Sequence, residues 1–279
     1  MNNIKVRPVL VLGATGRTGS RVAATLSQQG IGVRTAGRHD TDVQFDWDDP
    51  TTHATALDGI GAIYLLSPVM RTDYAPIVSK FLDEAERAGV GHVTYLSAYG
   101  MGHAPAEVPI RAVELDLLAR SALTHSFVRP AWFMQNFSES FLVPLNDAIA
   151  VPNGDGAEAF VDADDIASVA AATLADPAAH AGKSYELTGP EALTVAQAAE
   201  IISDAVGRTI TYVPIDQDAW IAAMVDAGVP QDYTEILRLL TSTVASGNGS
   251  RPNGDVQTVT GRPPISFAEF AAKVPPGWG

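Results

Sequence analysis

A chain of 279 residues that is 46% apolar and 18% charged has the composition of a soluble globular protein and the length for one large domain or two small ones. Its formal charge of −14 opposes nucleic acid and anionic membranes as partners, and the absence of cysteine excludes disulfides, thiolate metal sites and a cysteine nucleophile. No apolar run reaches the roughly 18 residues of a membrane-spanning helix, and the N-terminal stretch lacks a signal-peptide pattern, so a cytoplasmic chain with no membrane partner is expected.

The first element is the apolar run Val9–Leu12, the length of a buried strand. It leads into GATGRTG, with glycines at 13, 16 and 19, and then into a helical pattern over about 18–29 with Val22, Ala23 and Leu26 on one face. Strand, glycine turn and helix in this order form a dinucleotide-binding signature. Gly13 permits the tight turn, Gly16 the approach of backbone to a pyrophosphate, and Gly19 close packing of helix on strand. Backbone N–H groups around Thr15, Gly16, Arg17, Thr18 and Gly19 would face the phosphates, where the helix dipole favours negative charge.

Further strand-like runs follow at Val33–Ala36, Val43–Phe45, Ala62–Leu66, Val93–Leu96 and Ser126–Val128, with helices at about 52–58, 74–88 and 111–121. The 74–88 segment carries Ile77, Val78, Phe81, Leu82, Ala85 and Ala88 on one side and stops at Gly89. Strict alternation predicts an α/β fold, a doubly wound parallel sheet of Rossmann type in the order 3-2-1-4-5-6, with ligands beyond the carboxyl ends of the strands.

Each strand end is therefore a candidate site. The second ends in Arg38, where an NAD-specific site carries an acidic residue; a guanidinium suits a 2′-phosphate, so NADP(H) is preferred, while Asp40 and Asp42 keep NAD(H) open. At the third, Asp46 can accept from the adenine amino group with Trp47 flanking the ring, or it can form an Asx turn before Pro50. At the fourth, Ser67 and Pro68 are compact enough for the cofactor to cross. At the fifth, Ser97 and Tyr99 carry hydroxyls where the reactive end of the cofactor is expected, with His103 beyond them. The sixth runs into Pro130, expected to stop the strand, and then into Trp132, Phe133, Asn136 and Phe137, which would wall a flat pocket or belong to the core.

The second half holds Asp162, Asp164 and Asp165 before a helix, read as helix-capping residues and not as metal ligands. Thr194 is an N-cap, with its helix closing at Gly207; Ile210–Val213 is a short strand; Trp220, Met224 and Val225, then Ile236, Leu237 and Leu240, mark two helices. Residues 246–254 read as a flexible loop, and a last helix near 267–273 packs through Phe267 and Phe270. The histidines show no zinc spacing, and no metal is expected.

GATGRTG, the LSAYG strand end, RPAWFMQNF, the FVDADDIA segment, GKSYELTGP and TGRPP together resemble the NmrA-like branch of the atypical short-chain dehydrogenase/reductases, over nearly the whole chain. The resemblance implies a Rossmann domain over 1–157, interwoven with a smaller C-terminal α/β lobe over 158–279 that covers the substrate. It implies NAD(P)H bound by Gly13, Gly16 and Gly19, Arg38 near the 2′-phosphate, and Pro130 to Phe137 at the nicotinamide end. It implies an NAD(P)H-dependent oxidoreductase that passes hydride to a quinone or polycyclic conjugated carbonyl compound. One departure matters. The Tyr-x-x-x-Lys pair of typical short-chain reductases falls here on Glu107 and Arg111, and Arg111 cannot exchange a proton near neutral pH, though it can bind a ribose or a substrate anion. Two alternatives follow from that: a non-catalytic NAD(P)-sensing regulator, or a biosynthetic, oxygenase-like enzyme on a repurposed site. A monomer or homodimer acting on a small aromatic molecule is expected.

Overall fold

A computed structural model describes residues 7–274. The chain begins with β1 (Val9–Leu12), α1 (Gly19–Gln28), β2 (Val33–Gly37), β3 (Val43–Gln44), α2 (His53–Leu57) and β4 (Ala62–Leu65). It continues through α3 (Ala75–Arg87), β5 (His92–Leu96), α4 (Pro109–Ala119) and β6 (Thr124–Pro130). After α5 (Asn136–Glu139), β7 (Ala148–Val151) and β8 (Ala157–Glu158) come α6 (Ala163–Ala175), α7 (Pro177–His180) and β9 (Lys183–Leu187). The remainder is β10 (Leu193–Thr194), α8 (Val195–Val206), β11 (Thr211–Pro214), α9 (Gln217–Asp226), α10 (Gln231–Ala245), α11 (Asp255–Thr260) and α12 (Phe267–Lys273).

Two compact units result. The first holds the residues up to Val69, Asp73–Pro130 and Ile166–Glu186; the second holds Met70–Thr72, Ala131–Asp165 and the chain from Leu187. The first is built on a seven-stranded sheet in the order β3-β2-β1-β4-β5-β6-β9. β1 lies parallel to both β2 and β4, with Val9 opposite Val33 on one side and Ala62 on the other. The expected order is present, and β9 extends it. β9 runs in the same direction as β6, since Gly182 N–H bonds to the His125 carbonyl and Ala131 N–H to that of Leu187. The sequence reading contained no strand here, because KSYEL alternates exposed and buried residues over only five positions.

The central strands β1 and β4 are buried at every position, as a sheet covered on both faces requires. α3 buries Val78, Phe81, Leu82 and Ala85 against that sheet's core and ends before Gly89 at φ +75°. Strand β6 ends at Pro130, as expected of a proline that can donate no ladder hydrogen bond. A final position loses only a donor, and the Pro130 carbonyl still accepts from Tyr99 N–H at 3.0 Å.

In the second unit, α8 carries a full capping box between Thr194 and Gln197 and closes at Gly207, φ +70°. β11 pairs in parallel with β7. The core gathers Phe137, Phe160, Phe267, Trp220 and Leu237. Val225 and Leu240, which mark α9 and α10 in the sequence, are 42% and 38% exposed. The loop 246–254 is not loose throughout: Ser250 is buried, donates its hydroxyl to Glu158 and accepts from Ala159 N–H. No helix among the described residues is long and apolar enough to cross a membrane.

Candidate functional site

The glycine turn after β1 has little room for side chains. Gly13 sits at φ +60°, and a Cβ there would lie 2.6 Å from Leu66 Cδ1. A Cβ on Gly19 would lie 2.3 Å from the Gly13 carbonyl oxygen, a backbone atom that cannot swing away. Gly16 N–H bonds back to that same carbonyl at 2.8 Å, and Thr15 and Gly16 are exposed at the crest of the turn. Thr18 is buried at the N-cap of α1, and the Arg17 carbonyl takes a hydrogen bond from Arg21. The turn thus lays a bare stretch of backbone on the N-terminus of a helix at the carboxyl edge of the sheet, which fits a pyrophosphate.

At the end of β2, Arg38 is exposed, and its side chain makes no ion pair among the described residues. Asp42 accepts from both the backbone N–H and the hydroxyl of Thr35, at 2.9 and 2.8 Å, and these bonds hold its carboxyl below the usual range. It is thereby engaged in closing the β2–β3 connection. Asp40 stays exposed at φ +54°.

Past β3 the chain makes the Asx turn that the sequence allows. Asp46 accepts from Asp48 N–H at 3.0 Å, and Asp49 accepts from Thr51 N–H at 3.1 Å, forming successive Asx turns. Trp47 meets Phe45, Phe81 and His53 edge-on, at centroid separations of 4.9, 5.3 and 6.0 Å. Both residues also take part in local packing and stay half-exposed. At the end of β4, Ser67 shares a 2.7 Å hydrogen bond with the Tyr95 hydroxyl, and Pro68 is half-buried.

The ends of β5, β6 and β9 meet over a buried carboxylate that the sequence reading passed over. Glu114, on α4, is wholly buried. It accepts from Arg129 Nε and Nη2 at 2.8 and 2.9 Å, from Arg111 Nη1 at 2.7 Å and from Ser97 Oγ at 2.6 Å. Burial pushes its carboxyl up, but the bonds from Arg129, Ser97 and Arg111 outweigh that and hold it ionised below the usual range. An ionised carboxylate only accepts, so Ser97 gives it its single proton and retains only acceptor capacity. This corrects the reading of Ser97 as a donor to a substrate carbonyl: its lone pairs suit a ribose hydroxyl or an amide N–H. Arg111, in the first turn of α4, has Glu114 as its only partner among the described residues.

Arg129 also reaches Glu186 on β9, Nη1 to Oε1 at 3.2 Å. Glu186 Oε2 in turn accepts from Gly100 N–H at 3.0 Å. Tyr99 is half-buried, and its hydroxyl has no hydrogen-bond partner among the described residues. His103 closes the short turn that follows and is exposed.

Within the second unit, Trp132 and Phe133 are half-buried, and Trp132 packs edge-on against Phe141 at 5.6 Å. Phe133 bridges to Val161. Asn136 is 9% exposed. Phe137 is fully buried, with Phe160 and Phe267 each 5.0 Å away. It is core and not pocket wall: a ring at a period-matched position of a short helix turns inward. Asp162 accepts from Asp164 N–H at 2.7 Å at the start of α6, the capping role expected of it. Asp165 accepts from Ile265 N–H and pairs with Arg262, tying α12's approach to α6. Among the described residues no group of acidic or histidine side chains has the arrangement to hold a metal.

Helix periodicity carried one signal for the missed carboxylate. Glu114 lies on the same face as Val113 and Leu117, where a charge requires partners. Arg111 is a local partner, three residues before it, but Arg129 and Ser97 are 15 and 17 residues away in sequence, beyond any local pattern.

Comparison with known proteins agrees with this architecture. An oxidoreductase of Bacillus subtilis, YesF, is 36% identical over 96% of this chain and 96% of its own. Agroclavine dehydrogenase of Claviceps fusiformis is 31% identical over 95% of this chain and 96% of its own. The NADPH complex of the Escherichia coli quinone oxidoreductase QOR2 superposes with a TM-score of 0.75 at 25% identity, covering 95% of this chain and 98% of that one. The model of the NmrA-like family matches residues 5–250. With that match over most of its length and a glycine turn at the carboxyl end of β1, the chain belongs to the NmrA-like family.

Proposed function

We propose that this protein is an NAD(P)H-dependent oxidoreductase that prefers NADPH and passes hydride to a quinone or polycyclic conjugated carbonyl compound. The observation that carries the nucleotide assignment is the bare backbone turn at Gly13–Gly19, with the exposed guanidinium of Arg38, which makes no ion pair among the described residues, at the neighbouring strand end and Asp42 engaged elsewhere. The acceptor class is supported by the likeness to QOR2, an NADPH-dependent quinone oxidoreductase.

The bound cofactor would supply the hydride. The chain's residues would bind, orient and polarise. The turn from Thr15 to Gly19 would hold the pyrophosphate, and Arg38 the 2′-phosphate. Ser67 and Pro68 would flank the cofactor's path, and Ser97 would accept from it. Arg111, with guanidinium donors beyond its bond to Glu114, would take a ribose hydroxyl or an anionic substituent. Tyr99 would donate its free hydroxyl to the acceptor oxygen on which charge develops. Trp132 and Phe133 keep the partial exposure that contact with a flat acceptor needs. A quinone suits a site without Tyr-x-x-x-Lys, because its reduced oxygen can draw a proton from water.

The test is to mix protein, NADPH or NADH, and a panel of quinones and polycyclic enones, and to follow the absorbance of the reduced nicotinamide. Acceptor-dependent oxidation is the expected result. Tight nucleotide binding with no oxidation across the panel would favour the non-catalytic nucleotide sensor instead.

A further inference from the structure

The polar chain that starts at Ser97 does not stop at Glu114. It continues through Arg129 to Glu186 and ends on the backbone of the turn that carries Tyr99. Two successive N–H groups of that turn are pinned. Tyr99 N–H is held by the Pro130 carbonyl at the end of β6, and Gly100 N–H by the Glu186 carboxylate on β9. Gly100 adopts φ +78°, which a side chain would resist, so the direction of the turn depends on what holds it. The same guanidinium closes against the turn from behind: a Cβ on Gly102 would stand 2.9 Å from Arg129 Nη1. Glu186 thus has its two oxygens on two different jobs. One neutralises the outer face of Arg129, whose inner face serves Glu114. The other fixes the peptide next to Tyr99. Arg129 packs against the turn, and Glu186 is the member of the charge network that accepts a hydrogen bond from its backbone.

We infer that Glu186 is a positioning residue for the reductase reaction, holding Tyr99 in register with the acceptor oxygen through the Gly100 peptide. This rests on the reductase reading above. Glu186 does not meet the substrate. Its side chain is 31% exposed, so its replacement leaves no sealed void and the fold tolerates it. A hydroxyl moved by a fraction of an ångström loses orientation before it loses affinity, so the effect falls on turnover.

The experiment is a double-mutant cycle between Glu186→Ala and Tyr99→Phe, read by steady-state quinone reduction, with Glu186→Gln as the conservative variant. Glu186→Ala should lower kcat about tenfold to a hundredfold, as a small misplacement does, while the KM for NADPH stays within about twofold. Glu186→Gln keeps a carbonyl oxygen for Gly100 N–H and should recover a good part of that loss. In the Tyr99→Phe background, Glu186→Ala should add less than about twofold, because the group it positions is already gone. Thermal melts of all variants confirm that they are folded. Full additivity of the two substitutions would overturn the inference, as would an unchanged kcat in Glu186→Ala, and either result would leave the reductase reading standing. A wild-type protein that binds NADPH but reduces no acceptor would remove that reading itself, and the positioning role with it.

Discussion

Ser97 hands its hydroxyl proton to Glu114 across 2.6 Å, and the recipient has no exposure to water. A serine at the end of the fifth strand therefore supports a charge and does not polarise a substrate. Ser97→Ala should cost about 1.5–3 kcal/mol of stability, the worth of a hydrogen bond to a charged group, measured by urea unfolding. Its acceptor reduction should fall only modestly. A collapse of turnover at unchanged stability would return the serine to the reacting atoms.

The carboxylate itself is the costlier target. Glu114→Ala leaves Arg129 largely buried and without its bidentate partner, and breaking such a pair costs about 3–5 kcal/mol. Glu114→Gln, which still accepts one hydrogen bond, should lose less. Calorimetric melting of both variants against wild type checks the order; equal melting temperatures for all three would show that the cluster contributes nothing.

Arg38→Ala should separate the two nucleotides. Removing one charge-assisted contact of about 1.5–3 kcal/mol weakens NADPH binding roughly tenfold to a hundredfold, while NADH, which lacks the 2′-phosphate, should change little. Fluorescence titration with each nucleotide gives the ratio. Equal losses would refute the 2′-phosphate contact.

Acid should weaken the first unit through a histidine cluster at the amino ends of β5 and β6. His92 is buried, its imidazole bonded to Thr124 at 2.9 Å, and burial, with His125 and His180 nearby, lowers its pKa from 6.5 to about 4. The folded protein keeps this ring neutral while the unfolded chain protonates it. The stability it contributes is therefore complete above pH 6.5 and is lost as pH falls from 6.5 toward 4, by at most about 3 kcal/mol. His125 and His180 are lowered too, by burial first, and add in the same direction. Unfolding midpoints in urea at intervals between pH 7 and about 4.5 should slope downward in the wild type and more gently in His92→Gln. Parallel slopes would clear His92.

Much of this molecule is legible in its sequence wherever the physics is local. The run Val9–Leu12, the glycines after it and the apolar face of α3 each state their structure within a dozen residues, and Thr194 with Gln197 announces a helix start. The site is legible only in part. GATGRTG and Arg38 are read from short local patterns, and the turn takes the tight glycine geometry that such a pattern requires. Phe137 could have been pocket wall or core, and only packing decides; it went to the core. The Glu114 network was out of reach because its members come from β5, α4, β6 and β9, and the last link, Glu186 to Gly100, spans 86 residues. A charge in an apolar face advertises that a partner exists without saying which one.

The placement of β9 has a consequence for how the sheet can be completed. β6 is flanked on its outer side by a strand that the chain supplies only after passing through residues 131–165 in the other unit. A nascent or truncated polypeptide ending before residue 183 would hold every strand from β3 to β6, yet leave β6 as an open edge with unpaired backbone groups, the kind of border that recruits other chains. The same fragment would carry the glycine turn but not the carboxylate that holds Gly100, so the two ends of the candidate site would be completed at different stages of synthesis.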